Sequence, residues 1–269
     1  MKNQKEQTIK KSDKKMFKNK IAAAIFMMLG TIAVAADNSI YIEQSGDLST
    51  ITMTQIGTSN TVQGIGGTGT SAKINGDSAT VNVEQTGTGN TLSLGVVTGA
   101  SSGIGSTINY QQTGNNATAV INMNNSGSTP SLANTVDVQQ TGNNGSVNVS
   151  MQGSTNTLTA VQTGGNYNSL TAVINATGTT ASISQTGGGG NATTLNLTGD
   201  NGTVAITTVG ASNTIGITQS GGSVVGQNAS VSLTGSSNTV SITQSGTVDN
   251  TAGITSVGSS NSITLIQRN

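Results

Sequence analysis

Apolar and polar residues along this chain alternate one for one in short bursts, each closed by a glycine. In NTVSITQSG, Asn238–Gly246, Val240 and Ile242 are separated by one polar residue, which is the period of a strand. The same phrase recurs as NTIGITQSG from Asn213, NSIYIEQSG from Asn38, NTVDVQQTG from Asn134 and NTLTAVQTG from Asn156, with looser copies from Ser49, Ala79, Ser106, Thr179 and Asn261. The template is Asn/Ser, Thr/Ser, apolar, any, apolar, any, Gln, any, Gly, numbered i to i+8. Units that lack the glutamine start at Gly145, Gly202, Gln227 and Asn250, and more loosely at Ala119, Leu170 and Asn191; degenerate copies at Asn60 and Asn90 bring the total to nineteen.

Strand parity places Asn at i and Gln at i+6 on the face of the apolar pair, and the Thr/Ser positions on the other. Inward amides are costly unless hydrogen-bonded. A repeating structure satisfies them by stacking each amide on its equivalent one level up, about 4.8 Å away. The residues expected to form this ladder are Asn38, Gln44, Gln55, Gln85, Gln112, Gln140, Gln162, Gln185, Gln219, Gln244 and Gln267. Glycine at i+8 supplies the bend: Gly46, Gly57, Gly87, Gly114, Gly142, Gly164, Gly187, Gly221 and Gly246 are the expected turn residues.

Nine of the eighteen start-to-start steps are eleven residues, enough for one strand and one turn. Two units then complete a circuit of about twenty-two residues, and the pattern predicts an all-β solenoid of two strands per rung with nine or ten cross-β rungs, roughly 45 Å long. An up-and-down barrel would not explain why equivalent positions carry the same residue. Residues 64–77, 95–105 and the segment around Pro130 read as insertions bulging from single turns. From the unit at Ser49 to that at Thr179, glutamine occupies i+6 of every second unit, while Gly66, Val96, Asn125, Met151 and Ala176 occupy it between. One sheet should therefore hold the ladder and the other a mostly apolar column. Leu197 and Thr208 follow in succession, and Gln219, Gln244 and Gln267 resume with opposite parity. The ladder is expected to cross to the other sheet near residues 191–210.

Charge divides the chain. Eight of the ten basic residues lie in the first twenty positions and precede the apolar run Ile21–Ala36. This is the plan of a secretory signal peptide over residues 1–36, cleaved after Ala35 or Ala36, ahead of a repeat domain over residues 37–269. The remainder holds two bases against eight acids, a net charge of −6. That argues against nucleic acid or an anionic membrane as partner. The chain has no cysteine, so nothing is crosslinked.

The pattern Asn/Ser-x5-Gln-x-Gly-x2-Asn/Ser-x5-Gln resembles the curlin repeat of curli subunits, the functional amyloids of bacterial biofilms. The cleanest match is Asn38, Gln44, Gly46, Ser49, Gln55, Gly57 and Asn60; Asn213, Gln219, Gly221, Asn238, Gln244 and Gly246 match as well, and the resemblance covers residues 38–269. It implies a secreted, extracellular or cell-surface subunit that polymerises head to tail into a cross-β fibre of a biofilm matrix or for adhesion. Other curli subunits and an outer-membrane secretion pore are the partners it implies. The array is longer than in typical curli subunits, and no Gly-rich leader stands between the expected cleavage site and Asn38.

Catalytic chemistry is not apparent. With no histidine or cysteine and scattered acids, nothing converges as an acid–base site, and no small-molecule substrate, cofactor or metal is expected. Glu43 and Glu84 fall on outward i+5 positions, where a charge solubilises a strand. GIGGTG, Gly64–Gly69, lacks the strand–helix frame of a dinucleotide loop. Two other structural roles are open to such a solenoid. A monomeric ice-binding or surface-binding solenoid would use outward rows such as Thr239, Ser241 and Thr243; an autotransporter passenger would require an attached membrane barrel.

Overall fold

The computed structural model describes residues 37–46, 49–67, 69–75, 78–97, 105–123, 133–221 and 226–269. The signal-peptide segment, Asp47, Asp77 and the segment around Pro130 lie outside the described residues. The described chain is all-β, without helix, and its strands stack in parallel as a two-sheet solenoid of about nine turns.

Successive units enter the two sheets alternately. The first sheet stacks Thr50–Thr58, Thr80–Thr88, Thr107–Thr113, Thr135–Thr141, Thr157–Thr163, Thr180–Thr186, Thr203–Val209, Asn228–Thr234 and Thr251–Val257. The second stacks Ser39–Ile40, Thr61–Gln63, Thr91–Val97, Thr118–Met123, Ser146–Gln152, Ser169–Asn175, Ala192–Leu197, Thr214–Ser220, Thr239–Ser245 and Ser262–Arg268. Two short strands complete its first rungs: Ile42–Ser45 pairs with Ala72–Asn75, which pairs with Thr91–Val97.

Register explains the repetition of sequence. Thr50, Thr80, Thr107, Thr135, Thr157, Thr180 and Thr203 lie side by side on consecutive strands, as do Gln140, Gln162 and Gln185. Alternation settles the faces. In Thr239–Ser245, Val240, Ile242 and Gln244 are buried, while Thr239 and Ser241 are exposed. The inward apolar residues of both sheets form one core. Its strands compensate volume: Ala119 is followed inward by Ile121, and Ala181 by Ile183, while Leu158 and Leu170 are followed by Ala160 and Ala172, all buried. A large residue beside a small one keeps the column filled without overpacking.

Three units are framed differently from the sequence expectation. The register Thr91↔Thr118 starts one unit at Ala117 rather than Ala119, and Val147↔Leu170 starts another at Asn168 rather than Leu170. The i+6 positions are then Met123 and Ile174, not Asn125 and Ala176. In the third, the insertion is shorter than expected. Residues 64–67 and 69–71 loop out, Ala72–Asn75 returns to the sheet, and Ile74 rather than Gly66 completes the rung. The physical reason is common to all three. Buried methyls and sulfurs at Ile74, Met123 and Ile174 fill the core, whereas the expected frames would put Gly66, Asn125 or Ala176 there.

The turns carry a second element that composition conceals. Besides glycine at i+8, the residue preceding each new unit often has positive φ, and in eleven places it is not glycine, as at Ser59, Asn116, Ala133, Thr155 and Ser237. At φ 56° Thr155 holds a β-branched side chain in the left-handed region. Thr155→Gly should therefore stabilise the rung by about 0.5–1 kcal/mol, since the left-handed region costs an ordinary residue about 1–2 kcal/mol and the freer unfolded glycine returns part of that. A urea midpoint that stays put or falls would show the position to be unstrained.

Candidate functional site

The polar groups buried in the core form axial columns. The first is built by asparagine at i, where strand follows turn. Asn38 Oδ1 accepts the Asn60 N–H at 2.9 Å, and its Nδ2 donates to the Gly57 carbonyl at 3.0 Å. Asn60 accepts from the Asn90 N–H at 3.1 Å and donates to Gly87 at 2.9 Å; Asn90 accepts from the Ala117 N–H at 3.1 Å and donates to Gly114 at 2.8 Å. The column resumes at Asn168, whose Oδ1 accepts the Asn191 N–H, and the N–H groups of Asn213, Asn238 and Asn261 each bond the Oδ1 of the asparagine before them. At the other turn Asn156 and Asn134 make the same pair at 2.8 Å. Each such side chain thus ties its own strand to the next rung and to a turn carbonyl, groups that leave the sheet and would otherwise be unmet.

The second column is the glutamine ladder at i+6. Gln55 Nε2 donates to Gln85 Oε1 at 2.8 Å, Gln140 to Gln162 at 3.2 Å and Gln162 to Gln185 at 2.6 Å. In the second sheet Gln219 donates to Gln244 and Gln244 to Gln267, both at 2.9 Å. The ladder does cross between sheets. Gln185 stands opposite Thr208 in the first sheet, and Gln219 opposite Leu197 in the second. At the seam Gln185 Nε2 reaches over the core to Thr193 Oγ1 at 2.9 Å. Thr208 Oγ1 and Gln219 Oε1 are buried there without a partner.

Two ladder expectations are corrected. Gln44 does not stack on a glutamine: it lies in the second sheet opposite Ile74, exposed on the first rung. Its unit enters the sheet whose i+6 column is apolar, with Ile74, Met123, Met151, Ile174 and Leu197 all buried. The ladder is also not continuous from Gln55 to Gln185. The buried Tyr110 hydroxyl donates to Gln112 Oε1 at 2.9 Å and lies 3.4 Å from Gln140 Oε1. Gln112 turns its Nε2 to Asn90 Oδ1 at 2.7 Å, and Gln85 Nε2 is left unpartnered. Desolvation raises the Tyr110 hydroxyl well above its ordinary pKa, which keeps it a neutral donor. Tyr110 is the participant that sequence reasoning missed. The one signal was a tyrosine at an inward i+4 position.

All nine expected turn glycines, Gly46, Gly57, Gly87, Gly114, Gly142, Gly164, Gly187, Gly221 and Gly246, have positive φ. Gly153, Gly210, Gly235 and Gly258 do the same work in units without glutamine or at the array's end.

Amides stack on the outer surface too. Gln139 Nε2 donates to Gln111 Oε1 at 2.8 Å and Gln111 Nε2 to Glu84 at 3.1 Å, beside Asn82 and Asn109 bonded at 3.0 Å. They floor an open groove of about 560 Å³ on the first sheet that also includes Asp137. Among the described residues, no three His, Cys, Asp or Glu side chains gather as a metal site, and no helix is long and apolar enough to cross a membrane. Comparison with known proteins returns no match, either to a family model, to a curated protein or to a solved structure.

Proposed function

We propose that the chain is a secreted structural subunit that polymerises end to end into extracellular curli-like amyloid fibres, serving a biofilm matrix or adhesion. The observation that supports this reading is the state of the outermost rungs. Stacked like on like through the interior, the array leaves Ile51 and Met53 at one end, and Ile263 and Leu265 at the other, only half-buried although they face the core. Each outermost strand offers a row of backbone groups and inward side chains of the type its interior neighbours already stack on. An unpaired edge of this kind is a template for another chain. A contact between the two different ends builds filaments, not rings. The test is to incubate purified protein without residues 1–36, follow an amyloid dye and image the product, beside a version that also lacks residues 250–269. Fibres from the first are the expected result; a chain that stays monomeric for days at high micromolar concentration overturns the reading.

The seven in-register threonines from Thr50 to Thr203 favour one second reading, a solenoid that presents a regular hydroxyl surface to ice. Thermal hysteresis by the monomer would support it, and none would dismiss it.

A further inference from the structure

We infer that successive copies of the chain join with a half-turn about the solenoid axis, so that the first sheet of one copy continues the second sheet of the copy before it. The inference rests on the fibre reading and specifies its interface.

The described array opens and closes on the same sheet: Ser39–Ser45 and Ser262–Arg268 both belong to the second, which has one more rung position than the first. Each end is therefore a step one strand high. Two identical steps placed without rotation leave a strand-wide slot in the first sheet. Rotated by a half-turn they close: residues 39–45 of the incoming copy lie on Thr251–Val257, and its Thr50–Thr58 lies on Ser262–Arg268. The rotation is compatible with the turns, because both ends of the rung use the same construction, a positive-φ residue at i+8 and another before the next unit, as in Gly142 with Asn144 and Gly153 with Thr155.

The glutamine column runs on from one copy into the next only in this arrangement. Ile263 meets Ile51, Leu265 meets Met53 and Gln267 meets Gln55. Gln244 donates both to the Asn228 carbonyl and to Gln267, each at 2.9 Å, so one Nε2 serves its own circuit and the next rung. Gln267 already makes the first of these bonds, to the Thr251 carbonyl at 3.1 Å. Among the described residues its Nε2 makes no second bond. Gln55 Nε2 donates to the Ser39 carbonyl and to Gln85, and among the described residues its Oε1 receives no donor. A half-turn brings that donor to that acceptor. The ladder of Gln219, Gln244 and Gln267 then runs on into Gln55 and Gln85 of the next copy. Without rotation Gln267 meets Gln44, and the column ends at once on Ile74. The mid-chain crossing between Gln185 and Gln219 thereby acquires a purpose: it delivers glutamine to the sheet on which the next copy's ladder begins.

The chain has no cysteine, so paired cysteines can report the junction. Adjacent parallel strands put equivalent Cα atoms about 4.8 Å apart, within disulfide range. Under the half-turn, outward Thr264 neighbours Thr52 of the next copy, and Gly253 neighbours Tyr41. Filaments of the Thr52→Cys/Thr264→Cys and Tyr41→Cys/Gly253→Cys variants should each give a ladder of disulfide-linked oligomers on oxidation, while Tyr41→Cys/Thr264→Cys stays monomeric on a non-reducing gel. Nothing lies within 4 Å of a Cβ built at Gly253, so that cysteine fits. Linkage of Tyr41→Cys/Thr264→Cys alone, or filaments in which no pair links, overturns the half-turn and leaves the fibre reading standing. If the parent chain forms no filaments, it is the fibre reading that falls. Helical reconstruction of parent filaments gives a second readout, a rotation per subunit that contains the extra half-turn.

Discussion

Asn156→Ala should destabilise the solenoid by about 3–5 kcal/mol, more than truncation of any glutamine. Asn156 is fully buried and serves three backbone groups at once. Its Oδ1 accepts the Thr179 N–H at 2.9 Å, and its Nδ2 donates to the Ala176 carbonyl at 2.6 Å and the Gln152 carbonyl at 3.0 Å. The methyl of alanine reaches none of these. Each buried partner left unmet costs about 1–3 kcal/mol. Water cannot easily substitute, because the rungs above and below close the site. Gln162→Ala strands two partners, Gln140 Nε2 and Gln185 Oε1, and should cost about 2–4 kcal/mol including its cavity. Thr159→Ala, on the outward face, should change little. Urea midpoints in that order, together with faster hydrogen exchange at the Thr179 amide, are the expected result. If Asn156→Ala and Thr159→Ala are equal, the inward amides do not hold the rungs together.

The ordering of these effects reflects what could be read from the sequence. Period-two alternation with glutamine at i+6 made the faces, the two-strand rung and the ladder's change of sheet legible. A one-residue slip would have moved every glutamine to the surface. Frames were harder. Ala117 and Asn168 begin units whose glycine is displaced or absent, and a slip of two residues preserves parity, so the wrong frame looked as good as the right one. Only the registers Thr91↔Thr118 and Val147↔Leu170 distinguish them. Gln44 was misplaced for a related reason. Its unit fits the template well, but the sheet it joins is set by the parity of units counted along the chain, not by its own residues. Tyr110 and the left-handed residues such as Thr155 were illegible because their roles depend on contacts that the period-two pattern does not encode. The tyrosine finds its acceptor within its own strand at Gln112 and a second at Gln140, while Thr155 is held by a turn whose shape the stack imposes.

Like-on-like stacking also determines which glycines can change. Gly114→Ala should destabilise by about 3–5 kcal/mol, the largest effect of any single methyl added to the array. Two causes act together. At φ 138° the residue lies outside the range open to a side chain, at a cost of order 1–3 kcal/mol. In addition, a Cβ there would collide with the Gly142 carbonyl of the next rung, and overpacking against backbone that cannot move adds about 1–3 kcal/mol. The collision is built into the column: the same Cβ at Gly57 would strike Gly87, and at Gly87 would strike Gly114. Relief requires the turn to open, which breaks the Gly114 N–H bond to the Thr86 carbonyl at 2.9 Å and the Asn90 Nδ2 bond to the Gly114 carbonyl at 2.8 Å. Gly253→Ala is the matched control. That glycine lies in a strand, without positive φ and with open space around its Cβ, so the added methyl should be neutral or mildly stabilising. The difference between the two substitutions measures the stack itself. Contacts in a solenoid run only between neighbouring rungs. Hydrogen exchange in Gly114→Ala should therefore rise at Thr107–Thr113 and Thr135–Thr141 while the rungs beyond Thr203 keep their protection. Equal urea midpoints for Gly114→Ala and Gly253→Ala would show that the turn column has room for a side chain, and that identical residues recur there for some reason other than packing.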